Sequence, residues 1–186
     1  DSDLVILWGI DALATNLHFL HGVRQAKKRG ARVWVIDTYR TATAEMADQV
    51  FLVKPGHDGA LALGLMHLLA RENLVDRAFI ERSVQGFGEL ERVVLPDYPP
   101  ERVSALTGLS QATLVGMARA FGTARAPFIR LGGGLCRYGN GAMTVRCIVA
   151  LPALVGAWAK PGGGCLCGTS TGGAFAMSKR TTGLGS

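Results

Sequence analysis

The amino-acid sequence predicts an α/β fold, a Rossmann-like open parallel sheet with helices on both faces, and three observations predict it. First, the runs 4–8 (Leu-Val-Ile-Leu-Trp), 32–36, 50–53 and 127–131 are short and predominantly apolar, as strands covered on both faces are. Second, segments of helical periodicity stand between them, which a parallel pairing requires as crossovers. Third, Gly30 closes the first helical segment where a C-cap glycine belongs, so the opening stretch reads as one βαβ unit with a right-handed crossover. The expected strand order is 3-2-1-4, with a helical excursion between strands 3 and 4. That order reverses between strands 1 and 4. The ligand crevice of such a sheet lies at the carboxyl ends of the strands at this reversal, so the Gly9 loop should meet the Gly132 loop.

Each element follows from local pattern. After strand 4–8, residues 9–15 turn into a helix that should run to about Arg29, with Leu17, Leu20 and Val23 as a sparse apolar face. A short helix over 42–47 precedes the third strand. Residues 58–71 form an Ala/Leu-rich helix in which His67 reads as a packed or surface histidine rather than a ligand. Between Val75 and Gly108, helical segments are separated by Gly86, Gly88, Pro96, Pro99 and Pro100. Residues 110–122 form a helix with Ser110 as N-cap and Leu114, Met117, Ala118 and Phe121 on one face. After strand 127–131 comes a glycine turn (Gly132, Gly133, Gly134), a long apolar helix over about 140–158, and a second glycine-rich segment from Pro161. Residues 1–165 are thus expected to make one nucleotide-binding-like domain, and 166–186 a flexible Gly/Ser/Thr-rich tail.

The bulk properties narrow the function. A chain of 186 residues buries about two thirds of its unfolded surface without staples. Its 48% hydrophobic and 18% charged residues are those of a globular domain, and no apolar run reaches the roughly 18–20 residues of a membrane span. The net charge of +6 is partly local: Arg24, Lys27, Lys28, Arg29 and Arg32 gather at one helix end, where cations complement the helix dipole. Without interleaved aromatics they make no nucleic-acid stripe. The cysteines, Cys136, Cys147, Cys165 and Cys167, lack zinc or iron–sulfur spacing and read as free thiols. The Asp1-Ser2-Asp3 start, without methionine, gives the expectation of a piece of a larger polypeptide, so localisation is not legible beyond a cytoplasmic or periplasmic parent.

The polar residues at the strand ends suit a nucleotide. Asp37 ends the second strand, where a carboxylate accepts from ribose hydroxyls, and Asp58 follows the third, where it can accept two parallel bonds from guanine. Plain roles, ending a strand and capping a helix, are the alternatives. The Gly9 loop has no GxGxxG spacing, which disfavours a conventional NAD site. It does place Asp11, Thr15, Asn16 and His18 near a helix N-terminus; Asp11 suits a sugar or base edge, and His18 is open to a packing role. Thr38, Arg40, Thr41 and Thr43 crowd the second loop, and Arg40 offers a forked donor for a pyrophosphate. The glycine turn permits close backbone approach. No nucleophile motif and no metal-ligand cluster is evident, so no catalytic or metal-ligating residue is assigned.

Together these stretches resemble the molybdopterin-guanine-dinucleotide oxidoreductases, the family of dimethyl sulfoxide reductase, periplasmic nitrate reductase and formate dehydrogenase. The resemblance covers essentially the whole chain. It rests on Trp8-Gly9, on residues 31–41 ending Ile-Asp-Thr-Tyr-Arg-Thr, on Pro55-Gly56-His57-Asp58, on Thr107-Gly108, and on the region 132–161 with Asn140-Gly141 and Lys160-Pro161. It implies a central domain that holds one guanosine end of a bis(molybdopterin guanine dinucleotide) cofactor carrying molybdenum or tungsten. By position, Gly9, Asp11 and Asn16 would line the cofactor loop; Asp37, Thr38 and Arg40 would contact ribose and phosphates; Gly56 through Asp58 would read guanine. The turn through Arg137 and Asn140 would approach the pterin. Asp11-Ala12 stands where relatives commonly have Asn-Pro, Thr38 where many have Pro, and Gly133 and Arg137 where Met and Gln are frequent, as in a divergent subgroup.

The resemblance also implies that the metal ligand and any 4Fe-4S cysteines precede this segment, that the remaining domains and an electron-transfer subunit are its partners, and that the isolated chain is inactive. Neither nucleic acid nor direct membrane insertion is expected. The alternative is a cofactor-less scaffold relative, such as the large subunit of a respiratory complex. A free-standing nucleotide module is disfavoured by the truncated start and the missing glycine fingerprint.

Overall fold

The computed structural model describes residues 1–168; residues 169–186 of the Gly/Ser/Thr-rich tail lie outside the described residues. Five parallel strands, β1 (Leu4–Trp8), β2 (Arg32–Asp37), β3 (Gln49–Leu52), β4 (Pro127–Leu131) and β5 (Gly164–Cys167), form one sheet in the order β3-β2-β1-β4-β5. The expected order 3-2-1-4 is therefore present, extended by β5. This last strand crosses the boundary at residue 165 because Cys165 and Leu166 pair with Ile129 and Arg130.

Helices cover both faces. On one, α2 (Leu17–Lys28) lays Leu20, Val23 and Ala26 on Val5, Leu7, Val33 and Val35. On the other, α3 (Asp58–Arg71), α7 (Gln111–Gly122) and α8 (Gly141–Leu154) bury Leu4, Ile6, Trp8, Trp34, Ile36, Ile129 and Leu131. The central strand β1 is buried at every position, which accounts for its unbroken apolar run. Between β3 and β4 the excursion holds α4 (Arg77–Ser83), α5 (Phe87–Glu89), a π-helical turn (Leu90–Val94), a 3-10 turn (Leu95–Asp97) and α6 (Pro100–Thr107). Ser110 caps α7 by accepting from Thr113 N–H at 3.1 Å, and the four apolar residues assigned to the inner face are buried. His67 lies against the protein, with Nδ1 2.8 Å from the Leu95 carbonyl.

Two helices are shorter than their patterns suggest. The segment after β1 is split into α1 (Ala12–Thr15) and α2, because Asn16 takes an extended φ of −151° between them. The apolar stretch after residue 140 ends as α8 at Leu154; Gly156, with φ +64°, reverses the chain into a 3-10 turn (Ala157–Ala159). At the basic helix end, Lys27 pairs with Asp48 at 2.7 Å and donates to the Met46 carbonyl, joining α2 to the loop before β3. No helix among the described residues is long and apolar enough to cross a membrane.

Candidate cofactor site

The site is built at the carboxyl ends of β1, β2 and β4 and on the turn after β3. Gly9 follows β1 with φ +61°, a left-handed conformation that glycine adopts without strain, and donates its N–H to Ile36 O at 2.8 Å. From the other side of the order reversal, Gly132 N–H donates to Trp8 O at 2.9 Å. A Cβ on Gly132 would overlap the Gly9 carbonyl, and one on Gly9 would stand 2.8 Å from Leu135 Cγ. The two loops thus meet as anticipated, backbone against backbone.

Carboxylates gather on the neighbouring loops, those after β1, β2 and β3. Asp11 Oδ1 accepts from the Thr43 hydroxyl at 2.6 Å, and the same hydroxyl accepts from Leu13 N–H at 3.0 Å, which ties the β1 and β2 loops together. Half-buried Asp37 accepts from Thr38 N–H at 2.7 Å. Burial pushes the Asp37 carboxyl above its ordinary value against the Thr38 bonds, and the nearby charge of Asp11 adds to the rise. Asp58 opens α3 and is only 2% exposed; its Oδ1 accepts from Trp8 Nε1 at 2.8 Å. Burial raises its pKa, the charge of Asp37 raises it further, and the Trp8 bond and His57 oppose the rise. Asp58 does not cap its helix: His57 holds that position and makes no side-chain cap bond.

The turn after β3 faces the loop after β4. Asn140 Nδ2 donates to Gly56 O at 3.3 Å, and the Tyr138 ring stands 3.7 Å from where a Cβ on Gly56 (φ +78°) would sit. Gly133 and Gly134 are exposed, as is Arg137. Arg40 is exposed on the second loop, and Thr41 beside it is buried with a hydroxyl that has no hydrogen-bond partner. Hydrogen bonds, packing and through-space charge therefore link Gly9, Asp11, Asp37, Thr38, Asp58 and Gly132, and a separate hydrogen bond joins Gly56 to Asn140. Asn16 joins α1 to α2 without a side-chain cap bond. His18 is exposed on the first turn of α2, and no contact among the described residues draws it to the carboxylates.

Sequence reasoning missed Trp8 as the partner of Asp58 and Thr43 as the partner of Asp11. One signal was available: an indole N–H at the end of a fully apolar strand needs an acceptor when buried.

Residues 1–180 match the molybdopterin oxidoreductase family. The chain belongs to that family. It is 43% identical over 163 residues to the probable oxidoreductase YoaE of Bacillus subtilis (strain 168), covering 88% of this chain and 24% of that protein. It is 32% identical over 164 residues to formate dehydrogenase H of Escherichia coli (strain K12), covering 88% and 23%. Among solved structures, acetylene hydratase from Pelobacter acetylenicus superposes with a TM-score of 0.78 at 29% identity, over 84% of this chain and 22% of that one. The chain thus spans about a quarter of the length of the curated relatives it matches.

The donor set is chemically suited to a polar cofactor rich in N–H and O–H groups, as a molybdopterin is. Among the described residues, the ion pairs go to Asp48, Glu72 and Glu91, and none to Asp11, Asp37 or Asp58. Arg40 and Arg137 take part in none of those pairs. Carboxylates without an ion-pair partner call for N–H and O–H donors, and an exposed arginine such as Arg40, three residues after Asp37, can meet an anionic group.

Proposed function

We propose that this chain holds the guanosine end of a bis(molybdopterin guanine dinucleotide) cofactor, with molybdenum or tungsten, in an oxidoreductase performing two-electron redox. The observation that carries this reading is the convergence of Asp11, Asp37 and Asp58 at one sheet edge with no cation paired to them. The cofactor supplies the metal whose oxidation state changes; the residues here bind and orient. Asp37, with the Thr38 hydroxyl, accepts and donates to the ribose, Arg40 and the Gly9 loop meet the phosphates, and Asp58 accepts from the guanine edge. Thr41, with its unpartnered hydroxyl, lies within the same loop. The turn through Gly133, Gly134, Arg137 and Asn140 faces the pterin.

On this reading the isolated chain is catalytically silent, and its partners are the remaining domains of a longer protein and an electron-transfer subunit. No group of His, Cys, Asp and Glu among the described residues is arranged to hold a metal ion. A cofactor-less scaffold accounts less well for the crevice, since a buried Asp58 beside a half-buried Asp37, neither in an ion pair, costs stability and gives a scaffold nothing in return.

Calorimetry with GMP and AMP tests the reading. Wild-type chain should prefer GMP, and Asp58→Asn should lose about tenfold or more in GMP affinity, with AMP unchanged, as expected for a lost charge-assisted hydrogen bond. Equal wild-type affinities for the two nucleotides would overturn the guanine assignment.

A further inference from the structure

We infer that Trp8 is a positioning residue for base recognition: its indole N–H fixes the plane of the Asp58 carboxylate so that one guanine is read at two points. The inference rests on the reading of Asp58 as the guanine acceptor. Trp8 is fully buried and held in register between Ile36 of β2 and Leu131 of β4, so its backbone cannot follow a moving partner. The indole is a donor only, and at 2.8 Å it engages Oδ1. No other side chain among the described residues hydrogen-bonds the Asp58 carboxylate. An aspartate χ2 is intrinsically broad and nearly two-fold, so without Trp8 the carboxylate plane would turn.

A carboxylate oxygen accepts two bonds. Trp8 takes one acceptor site of the carboxylate and the backbone N–H of Asp58 takes another, which leaves enough for the parallel N1–H and 2-amino donors of guanine. Adenine presents an acceptor at N1 and is refused on any orientation of the carboxylate. Hypoxanthine presents N1–H without the 2-amino group, so it reports whether the second point is in place. Trp8 is the one side chain among the described residues that bonds this carboxylate: Asp37 from β2 and His57 from the turn before α3 act on Asp58 through space, its own backbone N–H is local, and α8 sets the uncharged Thr144 against Gly59 in the first turn of α3.

The experiment is calorimetry of GMP, IMP and AMP with wild-type chain, with Trp8→Phe, and with position 8 replaced by the benzothienyl isostere, which keeps the shape and lacks the N–H. Wild type should favour GMP over IMP by about tenfold, and both variants should bring that ratio to within about twofold with AMP unchanged. Loss of packing alone would weaken GMP and IMP together, and a wild-type ratio retained in either variant overturns the inference. If the variants do not fold, the ¹⁵N-labelled indole resonance of wild-type Trp8 decides. It should move on saturation with GMP more than with IMP, and an unmoved resonance overturns the assignment. A wild type that does not distinguish GMP from AMP removes the guanine reading itself, and the role of Trp8 with it.

Discussion

Thr43 is fully buried between the two loops that carry Asp11 and Asp37, and its single hydroxyl serves both an acceptor and a donor there. Thr43→Val keeps the shape and removes both bonds. It leaves the Asp11 carboxylate without that donor and Leu13 N–H without an acceptor, and should destabilise the chain by about 1–3 kcal/mol in chemical denaturation. A loss below about 0.5 kcal/mol would mean that water satisfies both groups. At this scale the sequence exposes chemistry more readily than partnership. Asp37 and Asp58 can be placed at strand ends because apolar runs mark the strands and the carboxylates follow them. That Asp58 is bound by Trp8, and Asp11 by Thr43, depends on how separate loops fold back over the sheet edge, and residue spacing along the chain does not encode that approach.

Among elements, the junction of the β1 and β4 loops is the most constrained. Gly132 donates to Trp8 O, and its Cα faces the Gly9 carbonyl so closely that Gly132→Ala forces the two loops apart. That substitution should cost about 3 kcal/mol or more and weaken GMP binding as well, since both loops belong to the crevice. Gly133→Ala, where nothing lies within 4 Å of the added carbon, should stay within about 0.5 kcal/mol of wild type. Similar losses at both positions, measured by urea denaturation, would contradict the close approach. The strand order could be anticipated because apolar β1 demands cover on both faces and parallel strands demand crossovers. The break at Asn16 could not: the residues on either side read as one helical segment, and only the backbone conformation at Asn16 separates α1 from α2. Strand β5 was obscured by its glycine-rich approach and its four-residue length, and its pairing with β4 supplies what its sequence lacks.

Over the whole molecule the carboxylates with shifted pKa values fall into two groups with opposite pH behaviour, and Asp3, which accepts from the Arg125 and Ala126 N–H groups, belongs to the lowered one. Asp48, Glu72 and Glu91 lie below their ordinary values because Lys27, Arg119 and Arg77 donate to them. Their stabilisation is present above the unfolded pKa and is lost as pH falls through the depressed folded values. Asp37 and Asp58 lie above the ordinary aspartate value because burial disfavours their charge. In the window between the ordinary value and the raised one, the folded chain binds more protons than the unfolded chain, so stability falls as pH rises. The ligand-free chain should therefore be most stable in mild acid and weaken toward neutrality. Asp58→Asn keeps an acceptor for Trp8 and carries no charge. It should flatten that fall and exceed wild type at neutral pH, because the charge that burial disfavours is gone. Urea denaturation between about pH 4 and 8 checks it, and parallel curves for wild type and variant would assign the fall to other groups. GMP at about a hundred times the wild-type Kd should add about 2.7 kcal/mol to the wild type at neutral pH and only about half of that to Asp58→Asn, because a ligand stabilises the folded state in proportion to the logarithm of its concentration relative to Kd. The crevice would then be a place where stability is given up in the empty protein for the sake of the nucleotide it receives.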